Sequence, residues 1–184
     1  MSFDSSRYGP EVEALLAFDG AGERLLPLEA GVCSSEEARS ILTTKSAHDL
    51  FHGSRSPEAA LSGLFLYFSC FDESHRIAQD IGTPEGSYWH GILHRQEPDP
   101  GNAAYWFRRT GEHPVFPLLR TAAEELLAGA PVKFKLKDKW DPFEFIDFCE
   151  EARRRPGSGH EQVAREIQRA EWQLLFDYCA RPAK

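Results

Sequence analysis

The chain has 184 residues, 41% hydrophobic and 27% charged, and its 21 Lys and Arg against 29 Asp and Glu leave a net charge of -8. That is the length of one ordinary domain with enough apolar material for a core, and the acidic balance argues against nucleic acid or an anionic membrane as partner, since both require a positive field. No apolar run reaches the roughly 18 residues of a membrane span.

The longest apolar run is AALSGLFLYFSCF at 59–71. The N-terminal MSFDSSRYGPEVE carries acids where a secretory leader has basic and then apolar residues. The four cysteines, Cys33, Cys70, Cys149 and Cys179, form no C-x-x-C pair and sit in apolar stretches, so they read as reduced thiols of a cytoplasmic protein.

Helix signals dominate in chain order. PEVEALLAF at 10–18 opens a short helix that ends by Gly20. Ser34 or Ser35 caps a helix beginning EEARSIL, and Ser46 with Asp49 frames the short segment AHDLFH before Gly53. Ser56-Pro57-Glu58 is the clearest start, combining a cap, Pro in the first turn and an acid beside the dipole. The spacing predicts one helix from there to about Ile81, with a first half apolar nearly all round and therefore central. In its second half, Asp72, His75, Arg76 and Gln79 share one arc at about 100° per residue.

Thr83-Pro84-Glu85, Asp99-Pro100 and Asp141-Pro142-Phe143-Glu144 repeat the start signal. His113-Pro114 leads into VFPLLRTAAEELLA, and Ser158 with Glu161 opens the last helix, where Val163, Ile167, Ala170 and Leu174 recur at core-facing spacing. At 132–138, Val132, Phe134 and Leu136 alternate with Lys133, Lys135 and Lys137, the period of an extended segment. With no second strand to pair, it reads as a crossing segment whose lysines guard an exposed edge. The expectation is one all-α domain, residues 1–184, of seven to nine helices with one extended stretch near 132–138.

Five of the seven histidines lie between positions 48 and 94, and four of them form the pairs His48/His52 and His90/His94. Residues four apart on a helix share a face with Cβ atoms about 6 Å apart, so each pair can chelate one divalent ion of the Zn²⁺, Fe²⁺ or Ni²⁺ type. Glu97 lies about 20° round the helix from His90, and Gly86 sits one turn earlier on that face. This makes His90, His94, Glu97 and His48 the expected metal ligands, with His52 or His75 also able to approach from a neighbouring helix. Glu97 or Asp72 would be a third ligand or a base for activated water. A solvated His/Arg/Glu face is the plain alternative, because Tyr88, Trp89, Ile92 and Leu93 occupy the opposite side.

Arg95, Arg108 and Arg109 flank an aromatic turn and, with His75 and Asp72, are the expected ligand-binding residues, suited to a small carboxylate or phosphate. No G-x-x-x-x-G-K-[ST], G-x-G-x-x-G or G-x-S-x-G occurs, so nucleotide-loop and serine-hydrolase chemistry lack their signature.

The string HRQEPDPGNAAYWFRRTGEHP at 94–114 resembles a segment shared by uncharacterised helical bacterial and fungal proteins, which implies a helical fold and no particular activity. Gln96, Asp99 and Asn102-Ala103 with Tyr105 to Arg109 also resemble the turn and second helix of one tetratricopeptide hairpin. That likeness implies a protein-interaction module without catalysis, its arginines contacting an acidic partner. His90, His94 and Arg95 are similar to the H-x-x-x-H-R string of DinB/YfiT-like metal-binding bundles, in which an earlier helix adds a third His. His48 or His52 is the counterpart expected here. His48-Asp49 resembles the HD pair of metal phosphohydrolases, but the upstream His of that family is missing.

Overall fold

A computed structural model describes residues 3–182. Among them are ten α-helices and no strand: α1 Pro10–Leu16, α2 Glu36–Thr43, α3 Ala47–Leu50, α4 Pro57–Tyr67, α5 Phe71–Asp80, α6 Pro84–Gln96, α7 Pro100–Thr110, α8 Val115–Leu127, α9 Pro142–Arg153 and α10 Gly159–Ala180. Short 3-10 turns at Ser5–Tyr8 and Ala17–Gly22 flank α1. None of these helices is long and apolar enough to cross a membrane.

Five of the ten starts carry a side-chain cap, whereas Ser56 and Thr83 hold the cap position of α4 and α6 without such a bond. Ser35 Oγ accepts from Ala38 N at 3.1 Å, Ser46 Oγ from Asp49 N at 3.1 Å, and Asp99 Oδ1 from Asn102 N at 3.0 Å. Asp141 Oδ1 accepts from Phe143 N at 3.0 Å, and Ser158 Oγ from Glu161 N at 3.3 Å. Each bond satisfies an amide that the helix itself leaves open.

Helices α4, α6 and α10 form the centre. Every residue of α4 from Ala59 to Tyr67 and of α6 from Gly86 to Gln96 is buried. Helix α10 packs on α4, α8 and α9, while α6 packs on α4, α5 and α7. Close approach needs small residues: a Cβ on Gly63 would stand 2.5 Å from Trp89, and one on Gly91 would stand 3.0 Å from Phe107. The indole of Trp172 ties α10 to α4 by donating to the Gly63 carbonyl at 2.7 Å.

Three expectations change. The helix predicted over 56–81 is two helices, because Ser69 turns left-handed at φ +56. The break is held by Cys70 N donating to the Phe65 carbonyl at 3.0 Å and by Ser34 N donating to the Phe68 carbonyl at 2.7 Å. On α10 the buried stripe runs through Val163, Ile167, Gln168, Glu171, Trp172 and Leu175, leaving Ala170 and Leu174 half-buried. The stretch at 132–137 is neither helix nor strand and turns where Leu136 N donates to the Phe134 carbonyl at 3.1 Å, with Val132, Phe134 and Leu136 half-buried and the lysines exposed. It pairs with no strand among the described residues, so its lysines have no sheet edge to guard.

Candidate metal centre

The start Thr83-Pro84 sets the phase of α6 so that His90 and His94 stack one turn apart, ring centroids 4.9 Å and planes within 8°. The break at Ser69 lets α5 return against α6 and deliver His75 to the same spot. The His75 and His90 Nε2 atoms face each other at 3.0 Å. The His75 ring stands edge-on to both partners, 4.5 Å from His90 and 5.4 Å from His94. One ring nitrogen from each residue lies within 4.8 Å of the others, and this is the one such His, Cys, Asp or Glu cluster among the described residues.

The surroundings are dry on one side and open on the other. His90 and His94 are 2% and 8% exposed, whereas His75 is half-buried. Trp106 of α7 lies flat on His90 at 3.9 Å, and Phe71 stacks on His75 at 6.1 Å. Burial, with the His75 and His94 imidazoles alongside, pushes the His90 pKa down to about 3. The ring is therefore neutral near neutral pH, the form in which imidazole ligates a metal. Its Nδ1 is buried without a partner.

Glu97, at the C-terminal end of α6, reaches back over its last turn. Its Oε2 stands 2.7 Å from His94 Nδ1, in ion-pair reach but not aligned for a hydrogen bond. The structure thus places Glu97 beside one imidazole rather than within the cluster. A carboxylate on the outer nitrogen of a ligating His fixes its ring and raises its basicity.

The remaining expected site residues lie elsewhere. His48 on α3 is exposed and pairs with Glu58 at 3.4 Å, so the third imidazole comes from His75 instead. His52 is also exposed. Asp72 is exposed, makes no hydrogen bond or ion pair among the described residues and is not in the histidine cluster. Gly86 leaves no room for a ligand, since a Cβ there would stand 2.4 Å from Ile81.

Arg95 faces away from the histidine cluster and from Arg108 and Arg109. One residue after His94, it is turned about 100° away and points into the centre of the fold. It is wholly buried and pairs with Glu171 of α10, which is also wholly buried. Gln168 Oε1 accepts from it at 3.3 Å and its guanidinium lies over Phe145 at 4.5 Å. Tyr88 donates to Glu171 at 3.2 Å. Arg108 and Arg109 are exposed on α7, Arg109 lying over the Trp106 ring at 5.3 Å. The three arginines therefore do not converge.

Sequence reasoning missed Trp106 as the wall of the cluster, and Glu171 and Gln168 as the partners of Arg95. The first had a signal, an aromatic residue on the helix following the His pair. The other two had none short of the α10 packing. In comparisons with family models, curated proteins and solved structures, the chain matches none, so the site rests on its own geometry.

Proposed function

We propose that the protein binds one divalent transition-metal ion, Zn²⁺ by ligand type, through His75, His90 and His94. The observation that carries this is the convergence of three imidazoles from two helices, with the His75 and His90 Nε2 atoms 3.0 Å apart. Tetrahedral nitrogens at about 2.0–2.1 Å from Zn²⁺ stand about 3.3 Å from one another, so a metal asks this pair to part by only a few tenths of an ångström. Rotation of His94 brings in the third nitrogen. Three imidazole ligands leave a fourth position for water or a ligand, the pattern of catalytic rather than structural zinc. Half-buried His75 marks the side from which that position is reached.

The tetratricopeptide-type interaction reading draws less support, because Tyr88 and Trp89 are buried in the core rather than lining a groove. A cytoplasmic setting belongs to the same proposal, supported by four free thiols.

The test is elemental analysis of protein expressed in Zn²⁺-supplemented medium, beside His75→Ala and His90→Ala/His94→Ala. Near one equivalent in the parent protein and almost none in both variants supports the assignment. Equal, near-zero metal in all three removes it.

A further inference from the structure

The C-terminal end of α7, the start of α8, the connecting segment 135–141 and the start of α9 line a cleft of about 1020 Å³. Small-molecule sites fall in the range of about 300–1,000 Å³, with apolar walls and a few placed polar groups. Here Phe107, Phe116, Leu136 and Phe143 form apolar walls.

The polar groups are unevenly satisfied. Of the cations on the cleft, Arg120 is paired with Glu124, Lys137 with Asp141 and Glu144, and Lys139 with Glu112. Arg108 and Lys135 line the same cleft without an ion pair among the described residues. Asp138 is the one acid there in the same condition. Two free cations against one free acid, in a chain of net charge -8, make this a locally basic concavity. Trp140, 5% exposed, packs at the inner side of the same cleft.

We infer that this cleft binds a small amphipathic carboxylate. Its apolar body lies against Phe107, Phe116, Leu136 and Phe143, and its oxygens accept from Arg108 and Lys135. The Arg108 fork suits a planar carboxylate, and the apolar walls suit a hydrocarbon or aromatic body rather than a sugar or an inorganic ion. This site is separate from the histidine cluster and does not depend on metal.

Calorimetric titration with sodium octanoate tests it, with octan-1-ol as the uncharged probe of the same body. Octanoate should saturate at one molecule per chain, and octanol should bind at least about tenfold more weakly, as a lost charge-assisted hydrogen bond implies. Arg108→Gln and Lys135→Gln replace exposed side chains and spare the fold, and each should weaken octanoate severalfold. His90→Ala/His94→Ala should bind octanoate as the parent does. Absence of saturation, octanol binding as tight as octanoate, or unchanged affinity in both Arg108→Gln and Lys135→Gln would each overturn the proposal. So would loss of octanoate binding in the histidine variant, which would move the carboxylate to the metal centre.

Discussion

Replacing Glu171 by Gln leaves the Arg95 guanidinium charged in a place where neither partner had more than 1% of its side chain exposed. Gln retains the shape and can still accept from Tyr88, so the change isolates the missing charge. Breaking a buried pair by removing one partner costs about 3–5 kcal/mol. Near the midpoint, a domain of this size loses about 2–4 °C per kcal/mol, which places the expected fall in melting temperature on the order of 10 °C. Urea unfolding followed by circular dichroism should show the lower midpoint with an unchanged slope. Arg95→Met/Glu171→Leu, which replaces both charges by apolar groups of similar reach, should recover most of the loss, because desolvation of the pair offsets much of its attraction. A loss below about 1 kcal/mol in Glu171→Gln, or a double variant no better than the single, would refute the view that this pair is a buried interdependent unit.

Further outcomes follow from other contacts. Gly63→Ala forces a methyl group to within 2.5 Å of Trp89 and should cost about 1–3 kcal/mol by overpacking, read as a lower urea midpoint. Glu97→Ala should weaken Zn²⁺ roughly 10–100-fold by freeing His94, while His48→Ala should leave it unchanged, both read by competition with a chromophoric chelator. Glu85 is held down to about 2 from the usual 4.5, chiefly by the His113 imidazole, against the opposing effect of burial. Because its folded pKa is depressed, it contributes stability above the unfolded value, and that contribution disappears as pH falls towards about 2. Glu85→Gln should therefore be less stable than the parent at neutral pH, with the gap closing as acid is added. A gap that stays constant across that range would exclude this linkage.

Seven helix starts were legible because a Ser, Thr or Asp stands at the cap position before Pro or an acid, although Ser56 and Thr83 make no side-chain capping bond. The break at Ser69 was not, since Phe68, Cys70 and Phe71 continue the apolar pattern without Gly or Pro, and the left-handed turn is held by a contact from Ser34. That break is also why His75 looked like part of a solvated arc with Asp72 and Arg76. Helix periodicity showed that His90 and His94 share a face, but a partner from another helix depends on packing. Arg95 is the instructive error. Its position next to His94 suggested one site, whereas a single residue step turns a helical side chain through about 100° and sends it towards Glu171.

The central claim is that His75, His90 and His94 close on one ion. Crystals grown with Zn²⁺ and measured at the zinc absorption edge test it most directly. An anomalous peak about 2.0–2.1 Å from one nitrogen of each imidazole is the predicted result. A map with no peak there, while His75 Nε2 and His90 Nε2 remain in hydrogen-bond contact, would contradict it.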